Sequence, residues 1–145
     1  MDIALEEARA AAERDETPVG AVIVDPQRKI ILAQDGNRVR ETHDPTAHAE
    51  MLVIRAAGQM IASERLSGLD LYVTLEPCPQ CAAAIAAARI ARVYYGASDP
   101  KSGGIEQGPR IFSHPQCHHK PEIYAGISET ESADLLRRFF REKRQ

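Results

Sequence analysis

An α/β fold with a central mixed sheet of five strands is what this sequence predicts, and three observations carry it. Short β-branched and aromatic runs alternate with longer stretches of helical periodicity, the pattern of a sheet with parallel crossovers. One pair of runs, residues 19–24 and 29–33, is separated only by Asp25-Pro26-Gln27-Arg28, so it forms a hairpin and adds an antiparallel step. The run from Leu71 to Leu75 passes almost at once into the alanine-rich stretch 81–88, a strand handing over to a helix.

In order along the chain, residues 2–16 set Ile3, Ala4, Ala8, Ala11 and Ala12 at helical spacing among acids and arginines. That is an amphipathic helix, with Asp2 as its cap and Thr17-Pro18 as its stop. The hairpin follows, then a polar stretch from Gln34 to His43. Asp44-Pro45-Thr46 starts a second helix that runs towards Gly58 and holds His48 and Glu50 in its first turn. After the third strand, 71–75, Pro79 suits the first position of the next helix, where its missing N–H is not needed, and this helix extends to about Ala91. Residues 93–96 make a fourth strand and 122–127 a fifth. Between them, 98–119 is rich in Gly, Pro and polar residues and reads as a long functional loop. Ser128-Glu129-Thr130-Glu131 has capping-box spacing and opens a last helix; at least one of its adjacent aromatics, Phe139 and Phe140, belongs to the core.

Composition bounds the function. With 145 residues, 43% hydrophobic and 27% charged, residues 1–145 suit one domain that buries a core without disulfides. The acidic N-terminus has no continuous apolar block, which argues against a secretion signal or anchor. Three cysteines, two of them in a short C-x-x-C, point to a reducing cytoplasm. A net charge of −3 and a pI near 6.0 argue against bulk electrostatic coating of nucleic acid, so any RNA contact must be local. Arg137, Arg138, Arg141, Lys143 and Arg144 give the acidic chain a cationic patch that an RNA loop would need.

The chemistry concentrates in Thr74-Leu75-Glu76-Pro77-Cys78-Pro79-Gln80-Cys81. Cys78 and Cys81 lie a turn apart at a helix N-terminus, where the dipole and unpaired N–H groups favour thiolate over thiol. His48 is thirty residues upstream, about one helix-plus-strand excursion, so both helices begin at the carboxyl ends of the strands, where α/β sheets bind ligands. One imidazole and two thiolates suit Zn²⁺ with a fourth position free for water. Glu50 can then take a proton from the water that such a metal activates and pass it to a leaving group. Two rival readings remain: a dithiol redox module built on the C-x-x-C, and a structural zinc site from Cys78, Cys81, Cys117 and His118 or His119. The second leaves His48 and Glu50 without a role.

His48-Ala49-Glu50 with Pro77-Cys78-Pro79-Gln80-Cys81 resembles the signature of the zinc-dependent cytidine deaminase-like superfamily. Within it the chain is similar to the bacterial tRNA adenosine deaminases, through residues 18–22, Asn37-Arg38, 43–50, 71–81, Arg89-Ile90, Gly96 with Asp99 and Lys101, and Phe139-Phe140-Arg141. The resemblance implies a three-layer α/β/α cytidine deaminase-like fold and one Zn²⁺ per subunit on His48, Cys78 and Cys81. It also implies Glu50 as proton shuttle and conversion of the wobble adenosine, position 34 of a tRNA anticodon, to inosine. It implies substrate contacts from Asn37, Ala49, Asp99, Lys101, Ser102, His119, Phe140 and Arg144, and a homodimer whose partner helps build the RNA groove. Guanine deaminases share much of residues 44–50, which keeps a free purine deaminase as the alternative within the fold. Gln80 stands where the family more often has Met, with little consequence expected, and the loop 104–109 departs further from the family pattern.

Overall fold

In the computed structural model, which describes residues 1–144, the chain runs α1 (Asp2–Glu13), β1 (Gly20–Asp25), β2 (Ile30–Gly36), α2 (Val39–Thr42) and α3 (Ala49–Ile61). There follow β3 (Asp70–Leu75), α4 (Pro79–Ala88), β4 (Arg92–Ala97), a 3-10 turn at Ile111–Ser113, β5 (Glu122–Tyr124) and α5 (Glu129–Lys143). The strands form one five-stranded mixed sheet, as expected, and their order across it is β2-β1-β3-β4-β5. β1 is antiparallel to both its neighbours, while β3, β4 and β5 are parallel. Among the described residues no helix is long and apolar enough to cross a membrane.

Alternation along the strands divides the sheet's faces. Ala21, Ile23, Leu71, Val73, Val93 and Tyr95 point to one side and are fully or almost fully buried there against Ala49, Val53 and Ala57 of α3 and Ala82 and Ile85 of α4. On the other side α1 and α5 settle on glycines. A Cβ on Gly20 would lie 2.0 Å from the Ala4 carbonyl oxygen, and one on Gly96 would lie 2.4 Å from Ser132 Oγ. Gly20→Ala should therefore lift α1 from the sheet and destabilise the protein by about 1–3 kcal/mol, read as a lower midpoint in urea. An unchanged midpoint would show that α1 is not seated this way.

Several boundaries differ from expectation for local reasons. α1 ends at Glu13, not Glu16, because Asp15 takes a left-handed conformation (φ 67°) and the Glu16 N–H turns back to the Ala11 carbonyl at 2.9 Å. The hairpin is as expected: Asp25 Oδ1 accepts the N–H groups of Gln27 and Arg28, although β2 runs on to Gly36. The second long helix begins at Ala49 and not at Asp44, since Asp44 Oδ1 accepts both the N–H and the hydroxyl of Thr46, a side-chain turn that competes with helix. α4 stops at Ala88, and β5 keeps three residues of an exposed edge. The capping box at Ser128 does not form: that residue has φ 57° and its side chain makes no cap hydrogen bond. Nor does the aromatic pair reach the core, since Phe139 is half-buried and Phe140 exposed, and the buried residue of α5 is Ser132.

Candidate active site

The starts of α3 and α4 meet at the carboxyl ends of β3 and β4. Cys78 is the N-cap of α4 with Pro79 in its first turn, and Cys81 follows one turn in, as the spacing predicted. His48 is not in the first turn of α3 but is its N-cap, with extended backbone (φ −71°, ψ 153°). That solves a directional problem. Two helical residues two apart point to nearly opposite sides, whereas a cap residue lies outside the helical register, so His48 and Glu50 can face one centre.

His48 Nδ1 lies 3.5 Å from Cys78 Sγ and 3.4 Å from Cys81 Sγ, and all three donor atoms fall within 4.8 Å of one another. A tetrahedral ion with Zn–S near 2.3 Å and Zn–N near 2.0–2.1 Å requires S···N edges of about 3.5 Å. The donor set therefore fits zinc in both type and spacing. The thiol hydrogen bond from Cys81, opposed by burial and helped by His48, pulls Cys78 down to about 4, while Cys81, sharing that proton and fully buried, is pushed up. Metal binding at such a pair would require both sulfurs as thiolates and would release the thiol proton. Contact with Cys78 likewise raises His48 despite burial. Gln80 ties the two helix starts together, its amide donating to the Thr46 carbonyl at 3.3 Å and approaching Cys81 Sγ at 3.9 Å.

Beside this group opens a cleft of about 530 Å³, walled by His48, Cys78, Glu50, Asn37 and Val19. Glu50 is 4% exposed; burial pushes its carboxyl up to about 7, against the pull of its own backbone N–H and of His48. A carboxyl poised there can give or take a proton near neutral pH. Asn37 Oδ1 accepts the Ala49 N–H at 2.7 Å, which leaves the amide NH₂ as the end available to a ligand.

The other expected substrate contacts divide. Asp99, Ser102 and Phe140 line the cleft, while Lys101 and Arg144 are exposed and lie outside its walls. Ala49 is fully buried and supports Asn37 through its N–H instead of facing the cleft. His119 stands apart from this cleft. Its Nε2 bonds the Ile90 carbonyl at 2.7 Å, beyond the far end of the ten-residue α4, about 15 Å of helix from the cysteines. Cys117, whose sulfur reaches the His119 carbonyl, stays at that end too, so it does not complete a structural zinc site with Cys78 and Cys81. The cationic patch of α5 is partly neutralised, with Arg137 paired to Asp134 and Lys143 to Asp15 at the cleft rim.

Two carboxylates that sequence reasoning passed over build the cleft walls. Glu16, 2% exposed, accepts the N–H groups of Arg40 (3.1 Å) and Glu41 (2.8 Å), which caps the unforeseen α2. Glu76, 1% exposed, gathers donors from the loop after β4. Burial opposes its ionisation, but backbone N–H groups from Asp99, Gln107, Glu106 and Ile105 outweigh burial and hold it below the ordinary carboxylate range. The one available signal was an acid wedged between an apolar strand and Pro77.

Comparison with known proteins adds the following. The cytidine and deoxycytidylate deaminase zinc-binding region matches residues 1–97. Over 144 residues, 99% of this chain and 93% of the relative, the sequence is 60% identical to a tRNA-specific adenosine deaminase of Agrobacterium fabrum. A solved structure from work on A-to-I editing by tRNA:A34 deaminases at the wobble position superposes with a TM-score of 0.91 at 58% identity, covering 94% of this chain and 97% of the other. A guanine deaminase from Nitrosomonas europaea shares the fold (TM-score 0.78; 95% and 81% covered) at 19% identity.

Proposed function

Because the chain belongs to the cytidine and deoxycytidylate deaminase zinc-binding family, we propose that it hydrolyses the wobble adenosine, position 34, of a tRNA anticodon to inosine and ammonia. The observation that carries the reading is the full-length similarity to tRNA-specific adenosine deaminases, joined to a His48–Cys78–Cys81 group with Glu50 buried beside it. His48 Nδ1 and the two sulfurs would hold one Zn²⁺ per chain. When bound, zinc supplies Lewis acidity that makes water a competent nucleophile at neutral pH.

The chain's own groups then divide the work. Glu50 receives one proton of the attacking water and passes it to the purine ring nitrogen beside C6, then takes the second from the new C6 hydroxyl and passes it to the exocyclic amine, which leaves as ammonia as the carbonyl forms. Asn37 holds the base with its free amide NH₂, its orientation fixed by the Ala49 N–H. Val19, Leu75 and Phe140 supply apolar wall for a base taken out of its stack. Asp99, Lys101, Ser102 and Arg144 face the rest of the anticodon loop. Residues 1–145 would act as one deaminase domain in the cytoplasm. A second copy of the chain would cover the shallow apolar face formed by Ala83 and Ala87 of α4 with Pro109 and Ile111, giving a homodimer.

Inosine mapping on total tRNA incubated with the protein tests the reading; inosine at position 34 is expected. Lys101→Glu and Arg144→Glu should each weaken tRNA turnover and lower its salt dependence by about one unit of slope, as the loss of one phosphate contact does. Unchanged tRNA kinetics in both variants, or brisk turnover of free guanine, would turn the assignment towards the free-base deaminases.

A further inference from the structure

Glu76 stands between the last residue of β3 and the Pro77-Cys78 corner, and its N–H continues the sheet by donating to the Ala97 carbonyl at 2.8 Å. Its side chain does something different. Oε1 accepts the Asp99 N–H at 3.0 Å and the Ser98 hydroxyl at 3.3 Å. Oε2 accepts three successive backbone N–H groups, those of Ile105 (3.1 Å), Glu106 (2.9 Å) and Gln107 (3.0 Å). A carboxylate offers about four lone-pair directions, so these donors saturate it. Although it reaches the cleft wall, Glu76 has no capacity left for proton transfer.

The loop it holds is tied at other points too, the Gly104 N–H to the Pro77 carbonyl at 2.8 Å, the Tyr95 hydroxyl to the Glu106 carboxylate and Ile105 in the core, but Glu76 is the side chain that gathers donors both from its start and from residues 105–107. Residues 98–110 contain no helix or strand, and the loop carries glycines at 103, 104 and 108. It lies close on the centre: a Cβ on Gly103 would fall 2.6 Å from a Glu76 carboxylate oxygen, and one on Gly104 would fall 2.6 Å from the Pro79 nitrogen and 2.7 Å from the Cys78 carbonyl carbon. The same loop carries Asp99 and Ser102 into the cleft. Asp99 Oδ1 is itself engaged by the N–H groups of Lys101 and Ser102, so the turn bearing the polynucleotide-facing side chains hangs from the Glu76 anchor.

We propose that Glu76 is a positioning residue for substrate recognition: its buried carboxylate fixes the 98–107 loop as a preformed wall for RNA, without touching RNA or taking part in the chemistry. The proposal rests on the tRNA reading above. Its physical basis is preorganisation. A glycine-rich loop ordered before binding does not lose that conformational freedom when RNA arrives, so removing the anchor raises KM and spares kcat.

Two variants approach the joint from opposite sides. Glu76→Gln keeps the shape but points an NH₂ at N–H donors, and Gly103→Ala pushes the loop off an intact carboxylate. In the zinc-loaded full chain each should raise KM for an anticodon stem-loop by about tenfold or more, with kcat within about threefold and zinc per chain unchanged. Amide hydrogen exchange should quicken at Ile105, Glu106 and Gln107 while the core strands keep their protection. Unchanged exchange at these amides, or a fall in kcat at constant KM, would overturn the proposal. Exchange is read on the protein alone, so it judges the anchor even if wild-type protein forms no inosine in tRNA, a result that would instead defeat the substrate assignment. Should Glu76→Gln fail to fold, Gly103→Ala decides by the same measures.

Discussion

Glu50→Gln is expected to cut turnover of tRNA adenosine by about 10²- to 10⁴-fold, the range for losing a positioned general acid–base. The substitution keeps size and hydrogen bonding but removes the ability to accept a proton. Its environment makes the carboxylate matter: Glu50 is 4% exposed, and burial pushes it up to about 7. It can therefore be ionised when water must be deprotonated and protonated when the amine leaves. The donor set of His48, Cys78 and Cys81 does not include it, so the variant should retain its metal and bind RNA with unchanged affinity. Single-turnover kinetics beside zinc analysis reads this directly. A Gln variant with near-normal turnover would place the proton transfer elsewhere.

Cys81→Ala is expected to be more drastic, because one of three protein ligands disappears from a fully buried position. Losing even a partner that only orients a ligand weakens metal binding by about 10- to 100-fold, so removing the ligand itself should exceed that and bring deamination to background. His48→Ala should behave alike. Zinc bound to the folded state alone stabilises it by mass action, so both variants should also lose the rise in thermal midpoint that zinc gives wild-type protein over chelator-treated protein. Cys117→Ala is the control, since its sulfur bonds the His119 carbonyl at the other end of α4 and lies outside the donor group. Zinc retained at one per chain in Cys81→Ala would disprove the ligand assignment.

The parts of the site legible in the sequence share a property: short range along the chain or a strict spacing. Cys78, Pro79 and Cys81 sit within one turn, so strand-to-helix patterning placed both sulfurs before any fold was known. His48 needed only the length of one helix and one strand to be brought back, and its Nδ1 meets both sulfurs. A histidine in a polar loop gives no sign of its partner, and the ring of His119 is held by the Ile90 carbonyl twenty-nine residues away. The core expectation for Phe139 and Phe140 failed because apolar character suggests core; here both line the cleft, one half-buried and the other exposed.

What the sequence determined by itself was the order of the five strands and the four long helices, the two helix starts that converge, and the nitrogen–sulfur donor set, all of which follow from periodicity and local backbone preference. Tertiary structure alone decided how the cleft is walled. Glu16 caps α2 from more than twenty residues away, and Glu76 collects N–H groups up to thirty-one residues downstream. A buried carboxylate takes whichever unpaired donors the fold carries to it, and a one-dimensional pattern does not record which ones those are.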